Sequence, residues 1–175
     1  MQPQAFRGTN RDIERIAEQI RSNLAAANVH GSSALLKEMV ARAGGEIVVI
    51  DNPTYGEVNG GSLEIRGERD FTIRLSPFTS PLRDNFTIAH ELGHYVLHFY
   101  PVRATMPTPL KFGRYGTGPL ESQANRFAAA LLMPAAQFRE KYQAVGGDPY
   151  TLAGSFGVSV PAIEVRVKDL GLTVA

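Results

Sequence analysis

Apolar positions recur every three or four residues in four stretches of this chain, and every second residue in a shorter region between the second and the third. In "TNRDIERIAEQIRSNLAAAN", Ile13, Ile16, Ile20 and Leu24 fall on one face at helical spacing, with Thr9 or Asn10 placed to cap the helix start through a side-chain oxygen. A second helix is predicted over 33–43, with Leu35, Leu36, Met39 and Val40 turned inward and Gly44 as its stop, since glycine accepts the left-handed backbone that ends a helix. "EIVVI" (46–50) is a β-branched run closed by a turn at Asp51, Asn52 and Pro53. "SLEIR" (62–66) and "FTIRL" (71–75) flank the polar turn "GERD", and together these runs predict a small, mostly antiparallel sheet.

Ser80 and Pro81 then open a helix, the serine as cap and the proline where an N–H would be unpaired anyway. It is predicted to run to Phe99 and stop at Pro101. Residues 101–118, "PVRATMPTPLKFGRYGTG", hold three prolines and three glycines without periodicity, and read as a long loop of the kind that more often serves function than not. A helix follows over 119–133, "PLESQANRFAAALLM", ending before Pro134. The tail offers "AAQFREKYQAV", a Gly-Gly-Asp-Pro break, and two short helices around "FGVS". The expected class is α+β: the sheet packed against the 81–99 helix and the 119–133 helix, with a helical pair at the C-terminal end. The expected organisation is one domain over 1–175, with an N-terminal helix (1–30), a core (31–134) and a helical extension (135–175).

Composition narrows the function classes. The chain is 43% apolar and 20% charged, as globular proteins are. Its formal net charge of +1 gives no broad attraction for nucleic acid or anionic lipid. No apolar run suits a secretion leader or a membrane span, so the expected compartment is cytoplasmic, with no membrane partner. The chain has no cysteine, which excludes disulfides and thiolate ligands. A metal would have to rely on His, Asp and Glu.

"FTIAHELGHYVLHF" (86–99) puts three of the four histidines within nine residues. On a helix, positions i and i+4 differ by only about 40° of azimuth, so His90 and His94 present their rings side by side. Glu91 tilts toward the same cleft, where it can take a proton from water without coordinating an ion. This is the His-Glu-x-x-His arrangement of zinc peptidases, which need a third protein ligand. A third histidine six residues past the second does not occur, because Tyr100 stands there and Leu97 replaces the midway glycine. His98 as a ligand would require one straight helix to wrap three rings around one ion, so hydrogen bonding to a ligand suits it better. Glu121 lies in the first turn of its helix, in line with Ala124, Asn125, Ala128 and Leu132. Its carboxylate could simply complement the helix N-terminal charge, but beside two histidines it is favoured as the third ligand. Asn125 is placed to orient a histidine ring. Zinc suits this donor set, and manganese or iron can also use it. Tyr95, Arg114 and Tyr115 compete as the group that steadies negative charge on the substrate, and "FTIRL" or "SLEIR" is expected to offer an exposed strand edge to an extended peptide. His30 reads as a solvent-facing loop residue.

The tail carries a second signal. Ala153, Gly157 and Ile163 have helix-turn-helix spacing. The would-be reading helix turns Val160, Glu164 and Val165 outward with only Arg166 and Lys168 as cations, a face poorly suited to phosphate. A packing pair is the expected role, without direct nucleic-acid binding.

"FTIAHELGHYVLH" followed by "ESQANRFAAALLMP" resembles the ImmA/IrrE family of metallopeptidases, over roughly 33–171. The resemblance implies a gluzincin-like core, with His90, His94 and Glu121 as metal ligands and Glu91 as the catalytic residue. One position departs: where an acid often stands two residues past the ligand, this chain has Gln123, leaving Glu121 the only acid in that motif. The resemblance also implies a regulatory peptidase whose protein substrate is a helix-turn-helix repressor of a phage, mobile element or stress regulon. The rival readings are a metal-stabilised module that sequesters a repressor without cutting it, against which Glu91 argues, and a DNA-binding regulator.

Overall fold

Thr9, rather than Asn10, caps the first helix. Its side chain accepts from the Asp12 N–H while the Asp12 carboxylate accepts from the Thr9 N–H, a reciprocal box that satisfies two otherwise open donors at the head of α1, Asn10–Ala26. The structure, a computed structural model, describes residues 2–51, 61–113 and 118–173. Ile13, Ala17 and Leu24 are the buried stripe of α1, with Ile16 and Ile20 half-buried at its margins. Helix α2, Ser32–Ala43, buries Leu35, Leu36, Met39 and Val40 as the periodicity predicts, and ends at Gly44 with φ 82°. His30, between the two helices, is exposed.

Strand β1, Gly45–Val49, leads toward the expected turn, of which Asn52 and Pro53 lie outside the described residues. Strands β2, Gly61–Gly67, and β3, Asp70–Leu75, form the hairpin around "GERD". A fourth strand, β4, Leu110–Gly113, lies inside the stretch expected to be loop. The sheet order is β1-β3-β2-β4, with β1 parallel to β3 and the other two pairings antiparallel. The class is therefore α+β with a mixed, mostly antiparallel sheet. "SLEIR" and "FTIRL" are both interior strands, which corrects the expectation that one of them offers a free edge. Among the described residues the edges are β1 and β4, each with one hydrogen-bonded neighbour.

Ser80 and Pro81 start α3, Pro81–His94, with Ser80 Oγ accepting the Arg83 N–H. Beyond His94 the chain does not continue as the straight α-helix predicted to Phe99. It widens into a π-turn over Tyr95–Phe99 and tightens into a 3₁₀ turn over Tyr100–Val102, and π-turns within helices gather at functional sites. Helix α4, Pro119–Leu132, packs on both α3 and α1. Helices α5, Ala135–Ala144, α6, Pro149–Phe156, and α7, Val160–Asp169, complete the chain. The core joins Leu63, Ile65, Phe71 and Ile73 of the sheet to Leu92 of α3 and Phe127 and Leu131 of α4. Among the described residues no helix is long and apolar enough to cross a membrane.

Arg166 departs from its expected place on an outward cationic face. It is fully buried, its Nε donating to the Met133 carbonyl and its Nη1 to Glu14, while Ile163 and Val167 of the same helix join the core. Lys168 is then the exposed cation of α7.

Candidate metal centre

The close approach of α3 and α4 depends on Gly93. A Cβ at that position would lie 3.0 Å from Ala124 Cα and 3.1 Å from its carbonyl oxygen. With no side chain there, α4 lies against α3, and one turn before Ala124 the Glu121 carboxylate reaches the histidines. Gly93 thus makes room for a helix.

His90 and His94 project from the same face of α3 as their spacing predicts, and both are almost completely buried. Their Nε2 atoms are 3.1 Å apart; Glu121 Oε2 lies 3.1 Å from His90 Nε2 and Glu121 Oε1 3.2 Å from His94 Nε2. The ligand atoms of the three residues all lie within 4.8 Å of one another.

Asn125, one turn beyond Glu121, sits 2.8 Å from His90 Nδ1 through its Oδ1. An amide oxygen only accepts, so His90 carries its proton on Nδ1 and a lone pair on Nε2. Asn125 was expected within the buried stripe; it is instead exposed at the rim. His98 Nδ1 lies 3.0 Å from His94 Nδ1, and His98 Nε2 lies 3.0 Å from Gln123 Oε1. His98 therefore contacts a candidate ligand through its outer nitrogen and is not one of the converging three. Gln123, singled out in the sequence only as a departure, is part of this network. Its partners, His98 and Phe6, lie 25 and 117 residues away along the chain, so no local pattern announces them.

Phe112 of β4 stacks on the His94 ring with centroids 4.6 Å apart. Burial, followed by repulsion from His90, pushes the His94 pKa down to about 3, so the ring is neutral at ordinary pH and its nitrogen lone pair is available. Burial also lowers His98. A carboxylate and two imidazole nitrogens converging at about 3 Å form a donor set for a cation. That donor chemistry fits a divalent cation with nitrogen and oxygen preference, zinc above all.

Glu91 is buried, on the side of α3 that faces the start of β2, where a Cβ on Gly61 would come within 3.7 Å of its Oε1. Tyr95 does not face the histidine group. Its hydroxyl donates to the Glu68 carbonyl and its ring packs on Phe71, which removes it as a charge-steadying candidate. Arg114 and Tyr115 lie outside the described residues. Glu121 and Asn125 also line a cleft of about 800 Å³ together with Phe86, Ala162 and Val165.

Comparison with known proteins gives two matches of interest. The model of the IrrE N-terminal-like domain, Peptidase_M78, matches residues 58–168, well over half the chain. Among solved structures, a Mycobacterium tuberculosis transcriptional regulator is similar at a TM-score of 0.63 and 20% identity over 90% of this chain. This chain spans 46% of that protein's length, and the likeness shows a shared fold. No curated protein matches the chain.

Proposed function

The chain belongs to the Peptidase_M78 (IrrE N-terminal-like) family, and from that premise we propose that it is a zinc-dependent endopeptidase acting on a protein substrate. The observation that carries this reading is the convergence of His90, His94 and Glu121 within 4.8 Å, on two helices held together at Gly93. These three residues would hold the ion, with Asn125 and His98 accepting or sharing the outer ring protons. When bound, a divalent ion supplies Lewis acidity, so that water can lose a proton near neutral pH and a peptide carbonyl is polarised.

Glu91 takes the proton of the attacking water and hands it to the departing amine. Its burial on the α3 face beside β2 keeps bulk water from competing. The substrate lies along β4, whose outer edge has no strand neighbour among the described residues, and whose Phe112 touches His94. The target is proposed to be a helix-turn-helix repressor, an expectation supported by the family resemblance of the two motif helices. Against a DNA-reading role stands the inward-turned Arg166, which leaves α7 with little to offer a phosphate backbone.

The test is incubation with candidate repressors, in the presence of zinc or of a chelator. Fragments should form only with metal. Glu91→Gln should keep its zinc and lose cleavage by about two orders of magnitude or more. Cleavage by Glu91→Gln at the parent rate would end the proposal.

A further inference from the structure

Gln123 touches both the N-terminal segment and the histidine network. Its Oε1 accepts the Phe6 N–H at 2.9 Å, and its Nε2 donates to the Phe6 carbonyl at 2.8 Å. A backbone N–H only donates and a carbonyl only accepts, so this pair of bonds fixes which end of the amide is oxygen. The same Oε1 lies 3.0 Å from His98 Nε2. That oxygen has no proton to give, so His98 carries its proton on Nε2 and leaves Nδ1 bare. The 3.0 Å contact between His98 Nδ1 and His94 Nδ1 is then a hydrogen bond only when His94 donates. A neutral His94 with its proton on Nδ1 has its lone pair on Nε2, the atom that faces His90 and Glu121.

We propose that Gln123, oriented by the backbone of Phe6, is a positioning residue that sets His94 in its metal-binding tautomer through His98. The docked N-terminal segment is thereby part of the metal centre. The inference rests on the ligand role proposed above for His94. Each link is directional. An amide turned end for end would present N–H₂ to His98, move the proton of that ring to Nδ1, and oblige His94 to accept there and carry its own proton on Nε2, where it blocks the ion. His94 and His98 are both buried, so water is poorly placed to substitute for a missing link. Residues that orient a metal ligand in this way are worth about 10- to 100-fold in metal affinity.

The test reads tautomers and zinc affinity separately. Imidazole nitrogen NMR of the metal-free parent, at about pH 8 where histidines are neutral, should place the His98 proton on Nε2 and the His94 proton on Nδ1. Gln123→Leu should mix the His98 tautomers and weaken zinc binding, measured by chelator competition, about 10- to 100-fold. Gln123→Glu keeps an acceptor for both the Phe6 N–H and His98 but loses the donor to the Phe6 carbonyl, and should keep the His98 proton on Nε2 and bind zinc more tightly than Gln123→Leu. A parent with the His98 proton on Nδ1 overturns the proposal and needs no variant. A folded Gln123→Leu with the parent's tautomers and affinity does the same. Failure of the parent to bind zinc would instead sink the metal reading, because the tautomers are read without metal.

Discussion

Phe112 covers one face of the His94 ring while His90 and His98 close its edges, and this enclosure holds the imidazole neutral down to about pH 3, against an ordinary value of 6.5. Between those values the unfolded chain binds a proton that the folded chain refuses. The stability of the metal-free protein should therefore be fully present above about pH 6.5 and fall as pH is lowered toward 3, by up to about 1.4 kcal/mol per pH unit from this group. Urea midpoints measured in chelator at descending pH check this, and a flat profile would contradict the enclosure. At this scale the sequence was informative where chemistry follows spacing. Four-residue spacing puts His90 and His94 on one face, and helical phase puts Glu121 on the inward face of its own helix. Gln123 escaped because its meaning comes from Phe6 and His98, brought to it only by the tertiary fold.

Helices α3 and α4 form the site together, and Gly93 sets their spacing. Gly93→Ala would press a methyl group to 3.0 Å from the Ala124 backbone and 3.2 Å from the Phe127 ring. Overpacking of this kind costs about 1–3 kcal/mol, and relief by parting the helices carries Glu121 away from the histidines. The variant should melt at lower temperature and bind zinc more weakly than the parent. An unchanged melting temperature and affinity would show that the helices are not in close contact. The helices were legible because their caps and stops are chemical: Thr9, Gly44 and Ser80 each act as their residue types dictate. Strand β4 was not. Four residues between prolines and glycines alternate too briefly to stand out, and its pairing partner β2 lies far back in the chain. Missing β4 also hid the true edge of the sheet.

Across the molecule, Glu14 of α1 receives Arg126 of α4 at 3.1 Å and the buried Arg166 of α7 at 3.3 Å. One carboxylate thus joins the N-terminal, motif-bearing and C-terminal helices. Glu14→Ala would leave the Arg166 guanidinium charged and without its carboxylate, and should cost about 3 kcal/mol, read from denaturant unfolding. A loss below about 0.5 kcal/mol would mean that the contact is no stronger than a surface ion pair. Nothing in the local sequence marks Arg166 as inward, because the phase of a short helix does not say which side the rest of the protein will cover. The account as a whole stands on the three converging side chains, and zinc binding to the purified protein, quantified by equilibrium dialysis, tests them most directly. The parent should bind one ion per chain, and Glu121→Ala should bind it at least about 100-fold more weakly through loss of a ligand. A parent that retains no zinc, or a Glu121→Ala variant that binds it as tightly as the parent, would contradict the account.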